Sequence, residues 1–232
     1  MEADNLFKQF RSHDIINLLS PEEAQEVYKV ATFHKAWKSD LIYSSSEEID
    51  RIYFVIKGRI KIAYCLNNKV EVLAEILVDG DLFGEFSLRP CINHLGEFSQ
   101  VLSDETILFS IKLKDFHSKL ISIPALNMEF SKKIVKKLKI VNGKFSDLVF
   151  KDARARVLNF FMKHARYEGK MDGNKAEIKM FCTHQDIADF TASTRQTVST
   201  IINSLIKEKL IIYEGRGRLI IPDLKKLSEY SQ

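Results

Sequence analysis

Between about residues 30 and 112, apolar side chains recur at every second position. Ile52, Phe54 and Ile56 alternate with other side chains, then Ile60, Ile62 and Tyr64, then Val70, Val72, Ala74 and Ile76. A period of two predicts strands. Gly58 and Asn67-Asn68 interrupt the pattern where turns belong. Gly80 and Gly84 mark a second turn region in "VDGDLFGEFSL", and "ETILFSIKL" reads as one more strand. Many short strands joined by tight turns predict a small barrel or roll.

The period changes near residue 113. Lys114 to Leu120 reads as a short helix, and Pro124 stands where the first turn of a long helix belongs. Beyond it Leu126, Phe130, Ile134, Leu138, Val141, Phe145 and Leu148 recur three or four apart, a near-heptad stripe. Lys132, Lys133, Lys136 and Lys137 make an opposite, basic face. This length and polarity predict a dimer seam along the stripe. The same pattern also fits a helix packed on its own domain. Gly143 weakens the helix by roughly 1 kcal/mol relative to alanine.

From about residue 152 a third pattern begins. "ARARVLNFFMKHAR" is amphipathic, "EIKMF" reads as a short strand, and "LIIYEGRGRLIIP" reads as a hairpin around Gly215-Arg216-Gly217. Between them lies "THQDIADFTASTRQTVSTIINSL", two short helices about a turn. Thr183 followed by Asp186 resembles a capping box, with Ile187, Ala188 and Phe190 facing inward. The second helix starts near Thr194 and has Val198, Ile201, Ile202 and Leu205 on its apolar side. Gln196, Ser199, Thr200 and Asn203 lie on the other side, with Arg195 beside them. A helix that reads a DNA major groove is built this way, docking by one face and offering N-terminal polar side chains to base edges. Arginine pairs bidentately with guanine and glutamine with adenine, while hydroxyls suit phosphate. Ser193, Thr194 and Thr197 also fit an ordinary helix end, where hydroxyls cap.

Composition narrows the field. A chain of 232 residues at 45% hydrophobic and 28% charged is long enough for one or two domains with a sizeable core. The net charge of +4 is unevenly spread: residues 151–232 carry 15 Lys and Arg against 10 Asp and Glu, and the remainder carries 20 against 21. A basic C-terminal third fits a nucleic-acid partner. No apolar run approaches the ~20 residues of a membrane helix, and no apolar signal core follows Met1-Glu2-Ala3-Asp4, so the expectation is a cytoplasmic protein without a membrane partner. Cys65, Cys91 and Cys182 are odd in number and dispersed, which indicates neither a disulfide framework nor a cysteine-rich metal site. An iron–sulfur cluster needs about four thiolates. No GK[ST], HExxH or GxSxG motif appears, so an enzyme is not expected. No cofactor is predicted, although His94 or His34 offers an axial ligand that haem would need.

A strand-rich roll, a long seam helix and a winged helix-turn-helix, in that order, resemble the Crp/Fnr family of bacterial transcription regulators over nearly the whole chain. The motifs are "THQDIADFTASTRQTVSTII", "GDLFGEFSL", "FVIKGRIKI" and "DARARVLNFF". The resemblance implies an α+β chain with a jelly-roll-like sensor domain at 1–123, a dimerisation helix and hinge at 124–151, and a winged helix-turn-helix at 152–232. It implies a homodimer on near-palindromic double-stranded DNA, with RNA polymerase as a further partner. A regulatory module acting on another protein is the alternative. The DNA-binding set it implies is Thr183, His184, Ser193, Thr194, Arg195, Gln196, Thr197, Ser199 and Thr200, with Arg216 and Arg218 of the wing. Arg195 matches the family's groove-reading arginine. Gln196 stands where a glutamate is usual, Thr200 where a second arginine is usual, and Ala192 where the turn often has glycine. Phe150-Lys151-Asp152 occupies the hinge.

In nucleotide-binding members of that family, a Gly-Glu pair and an Arg-Ser pair hold the cyclic phosphate, which needs a cation. Gly84-Glu85 match. Phe98-Ser99 stand in place of Arg-Ser, and Val141 and Asn142 stand in place of adenine-contacting hydroxyls on the seam helix. Arg89 and Asn93-His94 lie nearby in sequence but off the motif. The effector is therefore expected not to be cyclic AMP. Phe83, Phe86 and Phe98 would make the pocket apolar, and Gly84-Glu85 also fit a plain structural turn, the glutamate serving backbone amides.

Overall fold

The computed structural model describes residues 2–44, 49–66, 70–85, 96–180, 182–214 and 217–230, and the chain divides into two units, Met1–Lys139 and Ile140–Gln232.

The first unit opens with three helices, α1 (Glu2–Arg11), α2 (Asp14–Asn17) and α3 (Pro21–Tyr28). Ser20-Pro21-Glu22-Glu23 starts α3 with a full capping box and a proline in its first turn. Eight strands follow: β1 (Ala31–Trp37), β2 (Leu41–Tyr43), β3 (Arg51–Lys57), β4 (Ile60–Leu66), β5 (Val70–Leu77), β6 (Leu82–Phe83), β7 (Glu97–Val101) and β8 (Glu105–Lys112). They form two antiparallel sheets, ordered β1-β8-β3-β6 and β2-β7-β4-β5. The predicted roll is this pair.

Strand β3 explains the layering. Ile52 and Phe54 enter a core shared with the helices, where Phe10, Phe109 and Phe116 pack on them. Tyr53 and Val55 enter the core between the sheets, with Tyr43, Ile60, Ile62, Leu77, Phe83 and Leu108. Successive side chains of a strand point to opposite faces, so a strand apolar on both must be covered on both.

The alternation read along β5 fails partway. Ile62 pairs with Glu75, but Ala63 pairs with Leu73, so Ala74 is an extra residue. This bulge shifts the phase. Glu75 and Leu77, not Ile76, then align with the inward Ile62 and Ile60, and the extra residue Ala74 packs against the same core.

Helix α4 (Leu113–Ser122) leads to α5 (Pro124–Phe150). The second unit holds α6 (Ala153–Glu168), β9 (Lys170–Asp172), β10 (Lys175–Lys179), α7 (His184–Phe190), α8 (Arg195–Lys207), β11 (Ile212–Glu214), β12 (Arg218–Ile221) and α9 (Leu224–Glu229). Its sheet runs β11-β12-β10-β9. Val157, Leu158, Phe161, Ile187, Val198, Ile202 and Leu205 lie in its core. Only Lys151 and Asp152 separate α5 from α6, and Asp152 caps α6 by accepting from Ala155 N at 2.8 Å.

The seam stripe of α5 is corrected by this arrangement. Leu126 and Phe130 are fully or nearly buried in the first unit's own core, and Ile134 packs at its edge. Leu138, Val141, Phe145 and Leu148 are exposed. Leu126 and Leu138 lie about 120° apart around the axis, but Val141 and Leu148 lie within about 20° of Phe130 and Phe145 within about 20° of Ile134. The difference therefore runs along the helix: the first turns of α5 pack into the first unit's core, and the later turns leave the same stripe uncovered.

Candidate nucleic-acid interface and effector pocket

Helices α7 and α8 are joined by a turn that strains one residue. Ala192 has φ +47°, the left-handed region where glycine is at ease. The turn is held by Arg156 of α6, whose Nε donates to the Thr191 carbonyl at 2.7 Å and Nη2 to the Ala192 carbonyl at 3.2 Å. Its Nη1 donates to the Lys151 carbonyl at 2.6 Å. Nothing in the local pattern pointed to Arg156, although two arginines in "DARARV" on an otherwise apolar helix are the available hint.

The polar residues of this motif divide into two groups. Thr183 and Asp186 form the capping box that their spacing predicts. Thr194 caps α8, accepting from Thr197 N at 3.1 Å, and its hydroxyl meets that of Thr197 at 2.8 Å. The Ser193 hydroxyl donates to the Thr191 carbonyl at 3.2 Å. His184 Nδ1 lies 2.9 Å from Ser199 Oγ, joining the two helices. These side chains build the motif. Arg195, Gln196, Thr200 and Asn203 are exposed, while Val198, Ile202 and Leu205 are buried on the opposite side. Among the described residues, no side-chain hydrogen bond engages Arg195, Gln196 or Thr200.

In the hairpin, Arg216 lies outside the described residues. Arg218, named in the DNA-binding set, is engaged within the hairpin's own sheet. Its guanidinium grips Glu177 of β10 at 2.6 and 2.7 Å and reaches Glu214 at 3.2 Å. That pairing holds the Glu177 carboxyl below its usual range and raises the guanidinium.

The pocket region is built from the inner face of the roll. Gly84 has φ +84°, and a Cβ there would come within 2.6 Å of the Arg51 carbonyl, so the turn requires glycine. Among the described residues, Glu85 serves no backbone amide; its Oε1 accepts from Lys137 Nζ of α5 at 2.7 Å, and Glu75 Oε2 accepts from the same ammonium at 3.1 Å. Tyr53 and Phe83 stack at 4.9 Å, with Tyr43 at 5.8 and 5.9 Å from them. The Tyr43 hydroxyl donates to Glu97 Oε1 at 2.6 Å. Burial raises the carboxyls of Glu97 and Glu75 and pushes the Tyr64 phenol up to about 12. Burial alone would lower the Lys137 ammonium, but Glu85 and Glu75 outweigh it and the net direction is upward.

Three sequence expectations change here. Phe98 does not line the pocket: it lies on the opposite face of β7 from Ser99, with Lys61 Nζ 5.6 Å from its ring. Ser99 is fully buried and its Oγ accepts from Tyr43 N at 3.2 Å. Of the four lysines read as a basic face of α5, Lys133 and Lys137 are largely covered, Lys133 donating to Asp14 and to the Gly80 carbonyl. Lys136 pairs with Asp81 at 3.7 Å but stays half exposed, and Lys132 pairs with Glu129 on its own helix. Val141 and Asn142 are exposed on α5. Phe86, Arg89, Asn93 and His94 lie outside the described residues. His34, considered as a haem ligand, places Nε2 at 2.8 Å from Ser110 Oγ. Among the described residues, no cluster of three metal-ligating side chains occurs and no helix is long and apolar enough to cross a membrane.

Comparison with known proteins matches residues 34–122 to the cyclic nucleotide-binding domain and residues 155–230 to the Crp-like helix-turn-helix domain. The CRP-like cAMP-activated global transcriptional regulator of Mycobacterium tuberculosis is 22% identical over 187 residues, 81% of this chain and 82% of that protein. The anaerobic regulatory protein of Bacillus subtilis is 22% identical over 205 residues, 88% of this chain and 86% of that one. Among solved structures, a CooA variant from Carboxydothermus hydrogenoformans superposes with a TM-score of 0.77 at 26% identity, covering 97% of this chain and 99% of its own.

Proposed function

The chain belongs to the Crp/Fnr family of DNA-binding transcription regulators, and from that premise we propose that it acts as a cytoplasmic homodimer on near-palindromic DNA, under an effector other than cyclic AMP or under none. The observation that carries the DNA reading is the division of labour on α8. Threonine and serine hydroxyls are engaged in building the motif, and Arg195, Gln196 and Thr200 remain exposed on the face away from the core. Arg195 presents a fork that fits guanine O6 and N7; Gln196 fits adenine; Thr200 is short enough only for a phosphate or a thymine methyl. The apolar residues Leu138, Val141 and Phe145 are uncovered in the single chain, as a seam between two copies requires. RNA polymerase is the partner that a regulator of this family implies. A module acting only on a protein partner leaves the helix-turn-helix without a use.

Cyclic AMP is the named activator of the Mycobacterium relative. Here the matched phosphate position holds Phe98, which carries no charge, and the inner face of the roll sets Glu75 and Glu85 on one ammonium, with Glu97 accepting from the Tyr43 hydroxyl. Such a site repels a phosphodiester. The test is selection of bound duplexes from random DNA, with and without cyclic AMP and with and without cell extract. The expected product is a near-palindrome with half-site centres roughly 34 Å apart, enriched equally with and without the nucleotide. Arg195→Ala should relax one guanine per half-site at a cost of about 1–3 kcal/mol. Failure to enrich any sequence in all arms overturns the DNA reading; enrichment only with cyclic AMP overturns the effector reading.

A further inference from the structure

The ion pairs between α5 and the roll form a clamp that needs no small molecule. Lys133 and Lys137 are one turn apart on α5, with Lys136 beside them. Lys137 bridges Glu75 of β5 to Glu85, the residue after Gly84. Lys133 joins Asp14 of α2 and the Gly80 carbonyl. The Lys137 side chain keeps 17% of its exposure, Glu85 14% and Glu75 28%, so solvent screens this triad far less than a surface pair.

Lys133 lies about 140° around the helix from Leu138 and Lys136 about 180° from Phe145, while Lys137 borders the apolar stripe, about 40° from Val141. With the lysines engaged on the roll, Leu138, Val141 and Phe145 remain exposed for a second copy.

We propose that Lys137 is the built-in occupant of the effector site: its ammonium links Glu75 and Glu85 to α5 from within the chain, fixes the helix with its seam outward, and makes the protein competent for DNA without a ligand. This rests on the DNA-binding reading above and specifies its regulation. The ammonium satisfies the two carboxylates that an incoming ligand would have to address, and Tyr53 and Phe83 stack in the core between the sheets. An anion gains nothing from such a site. Removing the lysine leaves two carboxylates facing each other with no cation between them, and burial already disfavours the charged form of Glu75.

The test compares the full chain with Lys137→Met and with the charge swap Lys137→Glu plus Glu85→Lys. All are refolded from urea to strip any co-purified molecule. Two readouts are taken: amide exchange of α5 residues 131–139, which needs no DNA, and affinity for a duplex selected as above with nothing added. Lys137→Met should exchange at least tenfold faster and bind the duplex at least tenfold more weakly, and the swap should restore both to within threefold of the wild type. A Lys137→Met protein within threefold of the wild type in either readout overturns the clamp. So does a swap that restores neither, or a wild type that binds DNA only after cell extract is added; that last result leaves the DNA reading standing. A wild type that binds no duplex under any condition overturns the DNA reading itself, and the exchange data then judge the clamp alone.

Discussion

Truncating Leu138 and Leu126 to alanine separates the two parts of α5. Leu138 is 58% exposed in the single chain. Full burial of a leucine side chain contributes about 1.5–3 kcal/mol, so the part still uncovered is worth about 1 kcal/mol per copy. A two-fold dimer buries it twice, so Leu138→Ala should weaken association by about 2 kcal/mol, or roughly 30-fold in the dimer dissociation constant. Leu126 has no exposed surface and sits in the first unit's core. Leu126→Ala should instead cost about 2–5 kcal/mol of folding stability by leaving a cavity. Sedimentation equilibrium over a range of concentrations reads the first effect; urea unfolding at a concentration above the dimer dissociation constant reads the second. The two-part assignment fails if Leu138→Ala leaves the dimer constant unchanged. It fails equally if Leu126→Ala weakens dimerisation without lowering the unfolding midpoint.

Arg218→Ala should leave the salt slope of DNA binding nearly unchanged, because Glu177 and Glu214 already balance that charge; a slope lower by about one would show that the guanidinium leaves them for a phosphate. His13 is buried, its Nδ1 accepting from Ile15 N and its Nε2 facing the Asp81 carbonyl, and burial, only partly offset by that carbonyl, lowers its pKa to about 4. The folded imidazole is thus harder to protonate than the unfolded one, so its contribution is intact above pH 6.5 and lost as pH falls toward 4, about 3 kcal/mol in all at 1.36 kcal/mol per pH unit. Urea midpoints from pH 7.5 to 4.5 for the wild type and His13→Asn should diverge accordingly, and a ring titration near 6.5 by NMR would refute it. Gly143 has nothing within 4 Å of an added Cβ, so Gly143→Ala should raise thermal stability by about 0.5–1 kcal/mol; a loss would mean a second chain approaches there.

What was legible in the sequence is what local pattern controls. The capping box at Thr183 and Asp186, the apolar side of α8 and the glycine turn at Gly84 depend on residues within a few positions of each other, and each appears where expected. The three N-terminal helices were not foreseen, although Ser20-Pro21-Glu22-Glu23 carries a start signal that needs no tertiary context. The phase of β5 was lost at Ala74 because a bulge inserts one residue without any glycine or proline to mark it. The start of the α5 stripe was assigned to a seam because a count of spacings does not show how far along the helix the chain's own core reaches: Leu126, Phe130 and Ile134 pack there, and Leu138 onward do not.

The pocket was the least legible part, for a reason of distance. Lys137 lies 52 residues from Glu85 and 62 from Glu75 along the chain, so no local pattern links them. In the sequence, Lys133, Lys136 and Lys137 look like a solvated face, because lysine is seldom buried without a partner. The partners arrive only when the roll closes: the bulge at Ala74 turns Glu75 inward, and the glycine turn brings Glu85 beside it. Two carboxylates meeting on the inner face of a roll must be protonated or neutralised. A lysine on the helix packed against the roll neutralises them at the cost of one side chain's freedom. The burial of Lys137 therefore follows from where Glu75 and Glu85 are placed, and Phe98, on the other face of β7, has no part in it.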